Sequence, residues 1–343
     1  MAAASSILLL LLLLVAAPLS SVASIGKVIT YGAKAVRPIA KKATKAYMKN
    51  EVKERIQDLS GQTNNDGQLG SSAASSYGAL VFELSLGSGT SAQNLSVVMD
   101  ITSELVWAQC DRCSSSSCVR QTPADTPTFI SQRSHSFNKI SCNEKSCQDF
   151  IRGPGNICRS AGDRCEYTER FVGSGSTSGY LANETFTFGT TAFPDMLFGC
   201  GGDIRLPGLA VAGASGFAGF SRSPLSLVSQ LDISQFSYLI DNSGDRSFLS
   251  WSIGQAADTA LAKGSRITPL LVPKRKQNPY WYYVKLTGVK VNDQLLTDIP
   301  AGTFDVGADG SGGVFLSTTL PVTYLEQAAY NVLRRGVLHN CVC

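Results

Sequence analysis

Asp100 is the residue whose type and position could do chemistry. Three apolar residues, Val97, Val98 and Met99, lead into it, a polar turn follows, and an apolar run resumes at Leu105. This pattern is typical of a strand that ends on a carboxylate and holds it at the floor of a cleft. A carboxyl group in that position can exchange a proton with a bound molecule.

Several segments must position this carboxyl group. Tyr77–Leu86 alternates apolar and polar residues and predicts a strand. Cys165–Gly179 contains two β-rich runs around a Gly/Ser turn, and Thr185–Phe188 continues the second run, which predicts a hairpin. The aromatic and β-branched run 280–291 predicts a strand pair.

The segment after Val97 resembles the first active-site strand of pepsin-like aspartic proteases of the nepenthesin type. The matching residues are Asp100, Ser103, Trp107, Gln109 and Cys110. The resemblance implies an all-β, bilobal pepsin-like fold with few short helices. It also implies an endopeptidase activity that uses two aspartates.

The same comparison shows departures at both active-site strands. Ile101 and Thr102 stand where the family has Thr and Gly, and the second strand, which lies within 310–325, carries Ser317 in place of the second catalytic Asp. Thr319 stands where the family has another Gly. On this alignment Asp100 is retained as the first family aspartate and the second is lost.

The hairpin resembles the family's flap, a segment that closes over the substrate. Phe171 replaces the flap Tyr, whose hydroxyl bonds to the Trp that here is Trp107, so the indole is expected to lack its usual partner. Phe217–Gly219 matches the hydrophobic-hydrophobic-Gly strand that passes through the active-site loop, and Gly219 is therefore assigned to the cleft with Ser103. Helices are expected from Pro224 to about Leu231 and over 326–335.

These departures predict impaired catalysis. Aspartic proteolysis needs one ionised and one protonated carboxyl group, and a serine hydroxyl does not titrate in the required range. Asp305 and Asp309 lie in a Gly-rich turn and are expected to be solvated. The two histidines, His135 and His339, lack the motifs of a serine hydrolase.

Composition agrees with a β-rich protein. The chain has 343 residues, of which only 16% are charged, with many Gly, Ser and Thr. The predicted organisation is a signal peptide (1–24), a basic propeptide-like segment with a linker (25–75), an N-terminal lobe with a cysteine-rich insertion (76–235) and a C-terminal lobe (236–343). Since family members continue for most of another half-lobe, the second lobe is predicted to be incomplete.

The amino-terminal residues predict secretion. Ile7–Val15 is an unbroken apolar run followed by small residues, which fits a signal peptide and is too short for a membrane span. An extracellular or apoplastic location, or the vacuole, is expected. No membrane span is predicted in the mature chain.

Eight of the ten cysteines are expected to form disulfides within the first lobe. A zinc site at the Cys110-x-x-Cys113 pair is the rival interpretation, but no second pair with matching spacing follows. Asn94 and Asn183 begin glycosylation sequons. The eight cysteines are Cys110, Cys113, Cys118, Cys142, Cys147, Cys158, Cys165 and Cys200.

The net charge of +4 arises from one region. Residues 25–60 carry nine Lys or Arg and three Asp or Glu, a net +6, which leaves −2 for the rest. The helical spacing within 42–59 is compatible with a propeptide helix or with a solvated basic linker. Nucleic-acid binding by the main body is not implied.

Three functions remain open from the sequence: an aspartic endopeptidase, a non-catalytic binding or inhibitor protein comparable with plant xylanase inhibitors, and a non-functional product. A pepsin-type groove can bind a peptide or protein ligand without cleaving it. A monomer that needs no cofactor and no metal is expected.

Overall fold

A computed structural model describes most of the chain from residue 80 onward. Apart from residues 14–15 and 28–29, the predicted signal peptide and the propeptide-like segment lie outside the described residues, as do Cys113 and Cys118. The described residues are 14–15, 28–29, 80–111, 126–150, 158, 163–171, 175–189, 191–205, 214–239, 248–254, 266–272, 278–320 and 323–340.

The first lobe is built on an eight-stranded sheet in the order β3-β4-β10-β5-β9-β8-β6, with β7 paired to β8 and a further pairing between β3 and β8. The apolar side chains of β3 alternate inward, as the sequence predicts, because successive residues of a strand face opposite sides. These strands are β3 (Val81–Leu86), β4 (Gln93–Asp100), β5 (Trp107–Gln109), β6 (Asn138–Lys139), β7 (Glu166–Arg170), β8 (Ser176–Phe188), β9 (Thr191–Arg205) and β10 (Gly216–Gly219).

A second, four-stranded sheet has the order β1-β11-β12-β2. Its central pair is antiparallel, and the two-residue strands β1 and β2 lie at its edges. The strands are β1 (Leu14–Val15), β2 (Val28–Ile29), β11 (Ile233–Leu239) and β12 (Phe248–Ile253).

The remaining strands form a three-stranded sheet, β13-β14-β17, and the hairpin β15-β16. Residues 280–291 contain two strands, β14 and β15, but the prediction that they form a pair is wrong, because β14 lies between β13 and β17 whereas β15 pairs with β16. The strands are β13 (Leu270–Leu271), β14 (Tyr283–Val284), β15 (Lys290–Val291), β16 (Gln294–Leu295) and β17 (Val314–Phe315).

The described residues contain three short α-helices, α1 (Lys145–Phe150), α2 (Leu227–Gln230) and α3 (Gln327–Asn340). Helix α2 begins later than predicted from Pro224, because the Ser226 hydroxyl caps it by accepting a hydrogen bond from the Ser229 amide at 3.2 Å. The Glu326 carboxylate caps α3 through the Ala328 amide at 2.7 Å. No helix in the described part is long and apolar enough to cross a membrane.

An aromatic cluster in the main core joins the strands around the site. Phe220 lies 6.2 Å from Phe82 and 6.3 Å from Trp251, between ring centroids. Tyr282 packs on Phe236 at 6.1 Å and donates its hydroxyl to the Phe220 carbonyl at 2.7 Å. Tyr282 therefore connects the later part of the chain to the core of the first lobe.

Three disulfides connect described cysteines, which confirms that part of the cysteine prediction. The zinc interpretation of Cys110 is wrong, because its sulfur is bonded to that of Cys200. The pairs are Cys110–Cys200, Cys142–Cys158 and Cys147–Cys165.

Candidate functional site

Asp100 is the last residue of β4 and is only 1% exposed. Strand β10 runs parallel to β4 with Gly219 beside Asp100, and it runs antiparallel to β5 with Phe217 beside Trp107. The Phe220 amide donates to the Asp100 carbonyl at 2.8 Å. The strand through the active-site loop thus lies where the sequence resemblance places it.

Close packing explains why residue 219 is a glycine. A Cβ atom there would lie 2.6 Å from the Ser103 carbonyl oxygen and 2.7 Å from that of Leu105. Both are backbone atoms of the turn that follows Asp100, so a side chain would displace this turn. Gly219 therefore supports the site without providing a functional group.

Hydroxyl and amide groups surround the Asp100 carboxyl group. The Thr102 amide and hydroxyl donate to Oδ1 at 2.8 and 2.7 Å. Burial raises the pKa of Asp100, while hydrogen bonds from Thr102, from the Ser103 backbone and from the Thr319 side chain oppose this rise. The group that reaches Asp100 from the second active-site strand is therefore a threonine hydroxyl.

Ser317 accepts backbone hydrogen bonds within its turn, as an aspartate could in this position, but it carries no negative charge. Its hydroxyl oxygen accepts hydrogen bonds from the Thr319 and Leu320 amides, each at 3.3 Å. The same pattern occurs where the Thr102 amide donates to Asp100. The Ser317 and Thr319 hydroxyls lie 3.4 Å apart, so a chain of hydroxyl groups extends from Asp100 to Ser317.

Thr318, which the sequence analysis did not select, connects the two active-site strands. Its hydroxyl donates to the Met99 carbonyl at 3.0 Å and accepts from the Ile101 amide at 3.3 Å. Ile101 is fully buried and has no hydroxyl to make a reciprocal bond. Thr318, which follows the second active-site strand, therefore fixes the end of the first one through two hydrogen bonds.

Trp281 also holds the active-site turn, although sequence analysis treated it only as a strand residue. Its indole Nε1–H donates to the Thr102 carbonyl at 2.8 Å, and its ring packs on Phe315 at 4.5 Å between centroids. Arg222 adds a contact by donating to the Trp281 carbonyl at 2.9 Å. The sequence does not predict this bond, because any residue can provide a backbone carbonyl and the two partners are 179 residues apart.

The predicted hairpin is present. Strands β7 and β8 pair from Glu166↔Tyr180 to Arg170↔Ser176, and the Phe171 amide donates to the Gly175 carbonyl at 3.1 Å. The tip, residues 172–174, lies outside the described residues.

Phe171 joins an aromatic stack at the base of this hairpin. Its ring lies 5.0 Å from that of Phe217 and 6.1 Å from that of Trp107. The Trp107 Nε1–H is buried, and no hydrogen-bond acceptor for it is found in the described part of the chain. A phenylalanine at this position thus leaves the indole unsatisfied, as expected from the sequence.

Glu169 is a further site residue, and the sequence analysis did not select it. Its Oε1 accepts hydrogen bonds from the Ser103 hydroxyl at 2.5 Å and from the Glu104 amide at 3.0 Å. Burial raises the pKa of Glu169 to about 8 and that of Glu104 to about 7. The first arm of the hairpin is therefore attached directly to the active-site turn.

Other residues considered from the sequence lie apart from this site. Asp305 and Asp309 are exposed turn residues, as predicted, and Asp309 accepts a hydrogen bond from the Ser311 amide at 2.9 Å. His135 is exposed. Asn94 is exposed on β4 and Asn183 is partly buried on β8.

One group of cysteines has the proximity that a metal site requires. The sulfur atoms of Cys142, Cys147 and Cys158 lie within 4.8 Å of one another. Each belongs to a disulfide, so none is available as a thiolate ligand.

Comparisons with known proteins agree with the fold and the motifs. The Xylanase inhibitor N-terminal family profile matches residues 82–251, and the Xylanase inhibitor C-terminal profile matches residues 281–341. Among solved structures, basic 7S globulin from soybean has a TM-score of 0.53 at 17% identity, over 76% of this chain and 66% of that one. Conglutin gamma from lupine seeds has a TM-score of 0.52 at 18% identity, over 77% and 67%.

Curated relatives identify the family. Aspartic proteinase nepenthesin-2 of Nepenthes gracilis is 37% identical over 72% of this chain and 53% of its own length. Nepenthesin-1 of the same species is 32% identical over 82% and 60%. Protein ASPARTIC PROTEASE IN GUARD CELL 2 of Arabidopsis thaliana is 34% identical over 73% and 50%.

The fold is therefore that of a bilobal pepsin-like protein. The chain belongs to the plant pepsin-like aspartic protease family, and it spans about half the length of the curated relatives that it matches.

Proposed function

We propose that this protein is a secreted, catalytically impaired member of its family, whose cleft binds a peptide or protein segment without cleaving it. The observation that carries the proposal is the identity of the groups around Asp100. The second active-site strand presents the Thr319 hydroxyl to this carboxyl group and has Ser317 at the position of the second aspartate.

The chemistry follows from this arrangement. Two carboxyl groups that share a proton titrate at separated pKa values, so that one acts as base while the other acts as acid. A hydroxyl group cannot be the titrating partner of Asp100. Since the loss of one positioned acid or base costs about 10²–10⁴ in rate, we expect very weak proteolysis or none.

The secretory route rests on the apolar run Ile7–Val15 and on the disulfides, since such bonds persist in oxidising compartments. The extracellular space, or alternatively the vacuole, is the compartment that we propose.

A second candidate function is inhibition of a xylanase. The observation that favours it is the match to the two family profiles, which together cover 82–251 and 281–341. Inhibition of a xylanase by the purified chain would support this function, and it requires no active dyad.

The proposal is tested by peptide cleavage across acidic pH, with and without pepstatin. The unmodified chain is compared with a variant that carries Ser317→Asp, Ile101→Thr, Thr102→Gly and Thr319→Gly. A matched control adds Asp100→Asn to that variant, which removes the first carboxylate with little change in shape.

We expect cleavage only in the variant that retains Asp100. Pepstatin-sensitive cleavage by the unmodified chain would overturn the proposal, because another group would then complete the dyad. If neither the unmodified chain nor the fourfold variant cleaves the peptide, these four residues alone do not account for the missing activity.

A further inference from the structure

Two disulfides of the first lobe lie against each other. Cys142–Cys158 and Cys147–Cys165 are separate bonds, yet the sulfur atoms of Cys147 and Cys158 are only 3.5 Å apart. The sulfur atom of Cys142 lies within 4.8 Å of both. A sulfur of one disulfide is therefore in non-bonded contact with a sulfur of the other.

Backbone hydrogen bonds hold the segments of these cysteines together independently of the disulfides. The Cys142 amide donates to the Asp163 carbonyl at 2.8 Å. The Cys165 amide donates to the Ile140 carbonyl at 2.9 Å. Opening one disulfide therefore does not by itself separate the two segments, and the second disulfide remains near the sulfur atoms that are set free.

The two disulfides differ in their exposure to solvent. Cys147 and Cys165 are both 0% exposed, so a reductant in solution has no direct access to their bond. Cys158 is only partly buried, and Cys142 is 6% exposed. Because thiol–disulfide exchange requires access to a sulfur atom, Cys142–Cys158 is the bond that a dissolved reductant opens first.

We propose that the two disulfides form an exchange-coupled pair: after a thiol or dithiol reductant opens Cys142–Cys158, the Cys158 thiolate attacks Cys147, and the cross-link of Cys147 passes from Cys165 to Cys158. The distance of 3.5 Å between the two sulfur atoms supports this step. It agrees with the separation of about 3–3.5 Å at which positioned groups react most readily.

Both steps balance. In the first, a dithiol gives two electrons and two protons to the Cys142–Cys158 bond and becomes a disulfide itself. In the second, Cys158 loses its proton to solvent, its sulfur forms a bond with the Cys147 sulfur, and the bond between Cys147 and Cys165 breaks. Cys165 leaves as a thiolate and takes up a proton, so the second step involves no net oxidation or reduction.

The exchange changes which segment is covalently attached to helix α1, on which Cys147 lies. Cys165 immediately precedes β7 and belongs to the same apolar cluster as Trp107 and Tyr167. After the exchange β7 keeps its pairing with β8 but has no covalent bond to α1. A reductant thus reaches a buried cross-link of the first lobe through the more exposed disulfide.

The two steps are separated experimentally by pH. A water-soluble phosphine reduces disulfides at about pH 4, where the thiolate fraction, and with it the exchange rate, is about 10⁴-fold lower than at about pH 8. The full chain is reduced briefly at the lower pH, freed of phosphine and moved to the higher pH without oxygen. Samples are quenched with acid over time, labelled with N-ethylmaleimide in mildly acidic denaturant and analysed by peptide mass spectrometry.

We expect the label on Cys142 and Cys158 before the pH change. After it, label on Cys165 should appear while label on Cys158 falls, and Cys142 should stay labelled. The proposal is overturned if Cys165 remains unlabelled at the higher pH. It is also overturned if reduction at the lower pH opens Cys147–Cys165 first.

Cys142→Ser tests the second step without a reductant, because it leaves Cys158 as a free thiol. We expect the purified variant to carry label on Cys165 as well as on Cys158, whereas label on Cys158 alone would contradict the exchange. The matched control adds Cys158→Ser, which removes the attacking thiol and should leave Cys147–Cys165 unlabelled. Label on Cys165 in this control would overturn the proposal, since the bond would then open without Cys158.

Discussion

Thr318→Val provides a sharp test of how the two active-site strands are held together. Valine has nearly the shape of threonine, so the substitution removes the hydroxyl group with little change in packing. It leaves the Met99 carbonyl and the Ile101 amide without the partner found at 3.0 and 3.3 Å, and both of these residues are fully buried.

The magnitude follows from these two bonds. An unsatisfied buried polar group costs about 1–3 kcal/mol, and Thr318 itself is only partly buried, which allows some access of water. We therefore expect the free energy of unfolding to fall by about 2–3 kcal/mol.

Urea denaturation followed by tryptophan fluorescence measures this change. The control is Thr303→Val, because the Thr303 hydroxyl donates to the Pro300 carbonyl at 2.7 Å in an exposed turn, where water can replace the bond. The control should change stability by less than about 0.5 kcal/mol. Equal effects of the two substitutions would refute the role of Thr318 in connecting the two active-site strands.

Three further predictions concern Phe171, the Cys110–Cys200 disulfide and Glu169. Phe171→Tyr should give the Trp107 indole an acceptor and raise stability by about 1 kcal/mol, measured by urea denaturation together with a change in tryptophan emission. Replacing Cys110 and Cys200 by Ala should destabilise the chain by about 2–4 kcal/mol in thermal unfolding, because their bond closes a long loop; no change would contradict this. Stability should be highest at acidic pH and fall between about 4.5 and 8, since the folded chain retains a proton on Glu169 that the unfolded chain releases. At about 1.4 kcal/mol per unit, Glu169 accounts for at most about 5 kcal/mol of this loss, and a Glu169→Gln variant whose melting profile falls equally would contradict this explanation.

Local pattern was sufficient to predict much of the site from the sequence. Strand periodicity predicted the end of β4 at Asp100, and small residues between β-rich runs predicted the β7–β8 hairpin. The loss of the flap tyrosine at Phe171 correctly predicted an unpaired Trp107 indole. These features depend on residues close together in the chain or on a motif with fixed spacing.

Contacts between distant segments could not be predicted in this way. Thr318 and Trp281 bond to the active-site turn from more than 170 residues away, and nothing in the sequence around them distinguishes them from other residues of the same type. The partners of β14 and β15 were mispredicted for the same reason, because strand pairing is decided by competition among all available edges.

The sequence by itself determined the family, the retained Asp100 and the absence of a carboxylate at Ser317, because these depend only on residue identity at matched positions. Only the tertiary structure decided what replaces the second carboxylate around Asp100 and which group connects the β7–β8 hairpin to the active-site turn. Thr319 and Glu169 have these roles because folding places them beside the buried Asp100, where a proton or a hydroxyl group is favoured over a negative charge.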